Sequence, residues 1–404
     1  MNPRRVVVTG LGVICALGHN VPEVWSALRE GRPGIAPIHS VDLSRLRFRN
    51  GAQVPDYDPG KHFEASRADV LDLFAQFALI AAREAVRESG IPLTAELREK
   101  TAVVTGSSIG GQSTQDAGFV ELYERDQGRV HPLTIPRTMT NAAASQIAME
   151  FGTTGPAFTF STACSSANHA IGHAFWMVRE GKAELAIAGG SEAPFSFGLL
   201  KAWEAMRVIA PDTCRPFSKD RRGLILGEGG AMLVLEPLES AQARGATIHA
   251  EIVGFGMSSD AHHITHPCVE GPALAMRAAL RDAGILPQQI GYINAHGTGT
   301  PTNDPIETRA IRELFGSHAD RLAVSSTKSL HGHALGAAGA LEAVSTVLAL
   351  REGLIPPTAN FIAPDPECDL DVVPNHARAA HVECALSNAF AFGGLNAVLA
   401  FKAR

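Results

Sequence analysis

Short, continuously apolar runs alternate along this chain with longer stretches of mixed polarity. Runs of the first kind predict buried strands, and the stretches between them predict helices. Arg5–Thr9 reads as a buried strand, Val21–Arg29 as a helix, and Arg67–Ser89 as one long amphipathic helix stopped by Gly90. Thr101–Thr105 is a further apolar run, ending in the loop Gly106-Ser107-Ser108-Ile109-Gly110-Gly111. Ala157–Ser161 predicts a strand that leads directly into a helix of small and apolar residues, Ser165 to Val178, closed by Gly181. Leu185–Ala188 and Ala231–Leu235 predict more strands. Short strands between helices of this length point to an α/β fold around a largely parallel sheet buried on both faces.

The second part of the chain repeats this pattern. Ile248–Val253 resembles the opening strand, Gly271–Ala283 reads as a helix, and Ile290–Ala295 as a strand ending in His296-Gly297-Thr298-Gly299-Thr300. Leu322–Ser325 predicts a strand feeding a small-residue helix from about Gly336 to Leu350. A strand–Cys164–helix unit is thus matched by a strand–Lys328–helix unit, which suggests an internal duplication. The apolar pattern breaks near Ala241–Ala246, placing an N-terminal half at 1–245 and a C-terminal half at 246–404.

Length and composition sharpen this picture. The 404 residues exceed one average domain of about 150, and 45% hydrophobic against 19% charged residues gives ample core and excludes disorder. A formal net charge of −6 argues against a nucleic-acid partner. No apolar window approaches the roughly 18 residues of a membrane span, and the opening Met-Asn-Pro-Arg-Arg followed by Val6–Val8 is not a signal-peptide pattern. The six cysteines form no CxxC pair, so neither a disulfide framework nor a zinc site is expected. The expectation is a cytoplasmic globular protein.

Three segments carry candidate chemistry. Cys164 stands where a strand turns into a helix, a position whose free amides and dipole favour a thiolate; Ala163, Ser165, Ser166 and Ala167 around it leave room for a substrate. The other cysteines read as buried structural residues. His296 is followed by alternating glycine and threonine, which allows close backbone approach of a ligand. Lys328 and His333 lie in Ser325–Gly339 beside a glycine–alanine run, and both are costly to desolvate without a purpose. Other patterns mislead. Ser325-x-x-Lys328 lacks the companion motifs of penicillin-recognising enzymes, Gly10-x-Gly12 lacks the third glycine of a dinucleotide fingerprint, and His262, His263 and His266 have only Asp260 as a nearby carboxylate.

Taken together, Arg5–Gly12, Thr162-Ala163-Cys164-Ser165-Ser166, Arg215–Arg221, Gly227–Gly230, Asn294–Thr300 and Lys328–Gly339 resemble the β-ketoacyl-[acyl carrier protein] synthases, the condensing enzymes of the thiolase superfamily. Cys164–Ala170, Lys201–Arg215 and Asp369–Asn375 look closest to the nodulation protein E branch. The resemblance implies a thiolase-like, five-layered α-β-α-β-α fold of two duplicated halves, normally a homodimer, with a heterodimer with a related subunit as the other arrangement. It implies that Cys164 is the nucleophile taking an acyl chain from acyl carrier protein, with its own amide and that of Phe392 as oxyanion hole. His296 and His333 would stabilise the enolate formed from malonyl-carrier protein, Lys328 would hold the charge pattern around them, and Thr298 and Thr300 would bind the phosphopantetheine arm. Ile109, Thr134, Leu199 and Trp203 would line the acyl pocket, Phe392 would gate it, and Arg129, Lys201 and Arg207 would dock the carrier protein. No metal or redox cofactor is implied. Asn294, Glu342, Ser387 and Asn388 match a structural monovalent-cation site of some members, or equally a buried hydrogen-bond network. The chain departs from the elongating pattern Asn-x-Phe-Gly-Phe-Gly-Gly-Thr-Asn at Ala391 and Leu395.

Two rival readings remain at this stage. A non-catalytic chain-length partner shares the fold but lacks the nucleophile. A coenzyme-A-dependent thiolase or a chalcone-type synthase lacks the Lys328–Gly339 segment.

Overall fold

The computed structural model describes residues 3–404. The first half contributes strands β1 (Val6–Cys15), β2 (Thr101–Gly106), β3 (Ala157–Phe160), β4 (Leu185–Glu192) and β5 (Gly229–Pro237). The second contributes β6 (Ala250–Ser259), β7 (Ile290–Asn294), β8 (Ala323–Ser325), β9 (Cys384–Ala391) and β10 (Leu395–Lys402). Six helices do most of the covering: α1 (Leu73–Ser89), α2 (Ala142–Phe151), α3 (Ser166–Arg179), α4 (Glu270–Ala283), α5 (Asn303–Phe315) and α6 (Ala338–Glu352).

Read outward from the junction, the strand order is β1-β5-β4-β2-β3 in one half and β6-β10-β9-β7-β8 in the other. In each half the first two pairings are antiparallel and the next two parallel. A short antiparallel contact, Val6–Val8 against Ala250–Ile252, joins the two. Helices α1 and α2 cover the outer face of the first half, α3 and α6 lie between the halves, and α4 backed by α5 covers the second. Separate apolar cores fill the centre and each outer layer.

The duplication extends to single residues. A Cβ on Gly10 or Gly12 of β1 would lie 2.1 or 1.9 Å from the carbonyl oxygens of Ala85 and Ala81 on α1. On β6, a Cβ on Gly254 or Gly256 would meet those of Ala279 and Ala275 on α4 at 2.4 and 2.2 Å. Both pairs exist so that a helix backbone can press onto a strand, which accounts for the misleading Gly10-x-Gly12.

Two expectations need correction. The sheet is mixed, because β5 and β10 run antiparallel to both neighbours; helices bury both faces, so an apolar run has no alternation that would reveal its direction. The helix expected over Arg67–Ser89 is broken. A single turn at Ala65–Ala68 precedes α1, and Asp72 caps α1 by accepting from Phe74 N at 3.2 Å while also holding Thr114 N at 2.9 Å. Among the described residues no helix is long and apolar enough to cross a membrane.

Candidate active site

Three chain segments meet at the C-terminal ends of parallel strands, where open α/β sheets place their ligands. After β3 the chain turns sharply at Ala163, whose φ of 51° is unusual for a residue with a side chain, and presents Cys164 just before α3. β7 delivers His296, and β8 delivers the segment from Lys328 to His333. The Cys164 sulfur and one nitrogen each of His296 and His333 lie within 4.8 Å of one another, all three side chains buried. The two imidazole rings stand nearly perpendicular, with centroids 5.5 Å apart.

Backbone contacts fix the histidines. The amides of His296 and Gly297 donate to the Glu307 carboxylate, both at 2.8 Å. His333 N donates to Ile225 O at 2.7 Å, and its Nδ1 accepts from Leu335 N at 3.2 Å. That contact requires a lone pair on Nδ1, so in the neutral ring the proton sits on Nε2. A thiol and two imidazoles would also suit zinc, but His333 thus offers a donor rather than a ligand. Burial holds both histidines well below their usual range, and Lys328 adds to this. They are neutral at physiological pH.

The thiol behaves differently from the sequence-based expectation of a thiolate. Burial pushes Cys164 up to about 11, against the opposing pull of Lys328 and of the amides of Phe392 and Cys164 itself, which face the sulfur. At pH 7 the group is therefore a thiol beside neutral imidazoles. A group with a raised value ionises only as pH approaches that value, so alkylation by iodoacetamide is expected to accelerate about tenfold per pH unit from 7 to 9 without levelling. A plateau near neutrality would mean that the helix terminus outweighs burial.

Lys328 lies beneath the trio, fully buried and ion-paired with the equally buried Glu342. Burial still drives Glu342 up to about 7, with Lys328 pulling it back. Glu342 Oε2 and Ser387 Oγ, on the inner side of β9, are buried without a hydrogen-bond partner, as is Asn388 Oδ1 on the opposite face of that strand. Ser387 pairs with Asn294 across β9 and β7, and Asn294 Nδ2 donates to Glu342 O at 3.4 Å. Unpartnered oxygens of this kind are the donor chemistry a hard cation uses, whereas the Asn388 amide is engaged elsewhere, its Nδ2 donating to Glu307 Oε1 at 3.3 Å.

A cleft of about 700 Å³, open mouth included, leads down to Cys164, His296 and His333. Thr298 and Thr300, whose hydroxyls are 2.9 Å apart, line it together with Trp203 and Phe392. Phe392 sits in the three-residue turn between β9 and β10, its ring 6.3 Å from that of Trp203. Gly393 N donates to Ile264 O at 2.8 Å, so this turn is held by the loop carrying the three surface histidines.

Other residues singled out in the sequence lie elsewhere. Ile109, Thr134 and Leu199 do not line this cleft. Ile109, like Trp203, packs against the small apolar core to which Leu335 belongs, Thr134 starts the short helix Thr134–Thr138, and Leu199 is half-buried on helix Phe197–Met206. Lys201 is ion-paired with Glu204 and also donates to Arg45 O at 2.9 Å. Arg207 is exposed next to Val208, which lines the cleft. Arg129 is exposed on a loop that contributes nothing to the cleft wall.

Buried acids that sequence reasoning missed hold much of this geometry. Glu307 carries the His296 loop, and Asp304, pushed up to about 6 by burial, accepts from Phe217 N at 2.8 Å and Gly299 N at 3.2 Å. Both belong to the first turns of α5 directly after the glycine–threonine loop, a placement that could have marked them.

Comparison with known proteins agrees with this layout. "Beta-ketoacyl synthase, N-terminal domain" matches residues 3–241 and "Beta-ketoacyl synthase, C-terminal domain" residues 249–362. The chain is 50% identical to "Nodulation protein E" of Rhizobium sp. (strain N33) over 402 residues, 99% of each chain. It is 44% identical to "3-oxoacyl-[acyl-carrier-protein] synthase 2" of Coxiella burnetii over 407 residues, 99% of this chain and 98% of that protein. Among solved structures, "The ishigamide ketosynthase/chain length factor" superposes with a TM-score of 0.95 at 39% identity, covering 100% of both chains.

Proposed function

The chain belongs to the β-ketoacyl synthase family, and from that premise we propose that Cys164 carries the acyl chain while His296 and His333 generate the attacking enolate. The activity is that of an acyltransferase: a decarboxylative Claisen condensation in fatty acid or polyketide synthesis. Its fold is the thiolase-like α/β architecture of the ketosynthases.

In the first half-reaction the Cys164 sulfur attacks an acyl thioester on acyl carrier protein. Its proton passes to a neutral imidazole, and the pantetheine thiol leaves. The amides of Cys164 and Phe392, already aimed at the sulfur, receive the oxyanion. In the second, malonyl-carrier protein loses CO2, and the resulting enolate oxygen is held by imidazole N–H groups. The enolate carbon then attacks the Cys164 thioester; the carbon–carbon bond forms as the carbon–sulfur bond breaks. The observation that carries this reading is the Nε2–H of His333, fixed by Leu335 N, in a trio with Cys164 and His296.

Thr298 and Thr300 are suited to bind the pantetheine arm and Phe392 to gate the chain. Trp203 is the best-placed acyl-pocket residue; Ile109 packs on the same small core, and Thr134 and Leu199 are weaker candidates. Arg207 is the best-placed docking cation for an acidic carrier protein, since Glu204 already engages Lys201 and Arg129 lies off the cleft. Sequence division near 245/246 gives two halves, each supplying part of the trio. Phe158 is exposed on β3, an edge strand of the sheet, and Phe119, Tyr123, Ile135 and Met139 are exposed on the 112–139 segment; such apolar exposure supports pairing with a second copy or with a related synthase subunit. The soluble folds of this family favour the cytoplasm.

The orphaned oxygens of Glu342 and Ser387 would hold a monovalent cation in a structural rather than a chemical role, with Asn388 on the far side of β9 the weaker candidate. Thermal stability is then expected to be higher in potassium or sodium chloride than in tetramethylammonium chloride at equal ionic strength. Equal melting points would leave the hydrogen-bond network as the better description.

Intact mass after incubation with an acyl-carrier protein tests the central reading. An acyl adduct mapping to Cys164 is expected, whereas a chain without an adduct would be a chain-length partner.

A further inference from the structure

Glu192, at the end of β4, is fully buried and has no cation among its partners. Its Oε1 accepts from Ser107 Oγ at 2.8 Å and Ile109 N at 3.3 Å. Its Oε2 accepts from Ser108 N at 2.7 Å, Ser108 Oγ at 2.5 Å and Gly336 N at 3.0 Å. Burying a carboxylate without a counter-charge is expensive unless donors replace its water, and here five donors from both halves of the chain converge on one group.

What it holds on the second half bears directly on the site. Gly336 follows Leu335, whose φ of 46° is strained for a branched residue, and the Leu335 amide is the group that fixes the His333 ring. The contact is tight: a Cβ on Gly336 would stand 2.4 Å from Ser108 N and 2.6 Å from Glu192 Oε2. On the first half the same carboxylate holds Ile109 N, and Ile109 and Trp203 both pack against the small apolar core to which Leu335 belongs. Glu192 therefore ties the turn that orients His333 to the 107–109 loop of the first half.

We propose that Glu192 is a positioning residue for decarboxylation: by holding Gly336 N it keeps Leu335 in its strained turn, and so keeps the His333 Nε2–H directed at the enolate. This rests on the reading of His333 as enolate donor. Acylation of Cys164 draws its oxyanion stabilisation from other groups, the amides of Cys164 and Phe392; the Glu192 charge acts on the thiol only as the smallest of the influences that raise it, so neutralising it would not slow acylation.

Glu192→Gln keeps the size but sets an NH2 group against donors that need an acceptor. With malonyl-[acyl carrier protein], CO2 release is expected to fall at least tenfold in kcat. Acylation of Cys164 by hexanoyl-[acyl carrier protein], followed by intact mass, should stay within about twofold. Ser108→Ala removes one donor to the carboxylate and also the Oγ that shares the Gly336 amide at 3.1 Å, while leaving Glu192 Oε2 on that amide; it should show the same imbalance more weakly, and serves if the glutamine variant does not fold. Equal loss of both half-reactions, or loss of neither, would overturn the proposal. His333→Ala separates the two levels. If that variant decarboxylates normally, the reading of His333 fails; if it does not while Glu192→Gln does, only the role of Glu192 fails.

Discussion

Cys164→Ala is expected to slow condensation by at least a thousandfold while the protein remains folded. Loss of the nucleophile removes the covalent intermediate altogether, and a thousandfold corresponds to about 4 kcal/mol of transition-state stabilisation. The structural cost is small because Cys164 lines the cleft and belongs to none of the apolar cores. Cys164 also makes no side-chain bond that the fold requires; the groups facing it are the two amides of the oxyanion hole. Malonyl decarboxylation should persist in this variant, since His296 and His333 are untouched. Product formation above roughly a thousandth of the wild-type rate would remove Cys164 from the nucleophile's role.

The chemistry was more legible in the sequence than the architecture that holds it. Cys164 stood out because small residues surround it at a strand–helix turn, and Lys328 and His333 because polar groups next to an alanine–glycine helix need a reason to be buried. Those signals are local. Strand direction is not local, so the antiparallel β5 and β10 were missed in a chain whose strands are apolar throughout. The break before α1 was masked by the apolar pattern running from Val70 to Leu73, although Asp72 marks it locally by capping Phe74 N; its second hold, on Thr114 N 42 positions away, is visible only in the fold.

The hidden acids follow the same logic. Glu192 would pass for a surface carboxylate, since nothing beside it in sequence reveals the backbone amides it receives, whereas Asp304 and Glu307 are marked only by their place directly after the glycine–threonine loop. Only the fold brings Gly336 N to Glu192 and His296 N to Glu307. Conversely, residues assigned by resemblance met competition that sequence does not display. Trp203 lines the cleft while Ile109 only joins the apolar core it packs on, and Glu204, one turn beyond Lys201, pairs with that lysine.

His333→Ala is expected to suppress malonyl decarboxylation by at least a hundredfold, about 2.7 kcal/mol, the scale of one lost oxyanion donor, while Cys164 acylation falls far less. The enolate oxygen develops full charge in a site where burial already disfavours protonated imidazole, so stabilisation must come from neutral N–H donors. His333 is the one whose tautomer the backbone fixes, and alanine removes that donor without altering the Leu335 turn that Glu192 holds. Acyl transfer draws its oxyanion stabilisation from the amides of Cys164 and Phe392, which the substitution leaves in place. The check is a pair of single-turnover measurements, CO2 release from malonyl-carrier protein and adduct formation on Cys164 by mass. Equal losses would mean that His333 also receives the thiol proton in acyl transfer; His296, with its Nδ1 buried and unpartnered, would then be the principal enolate donor.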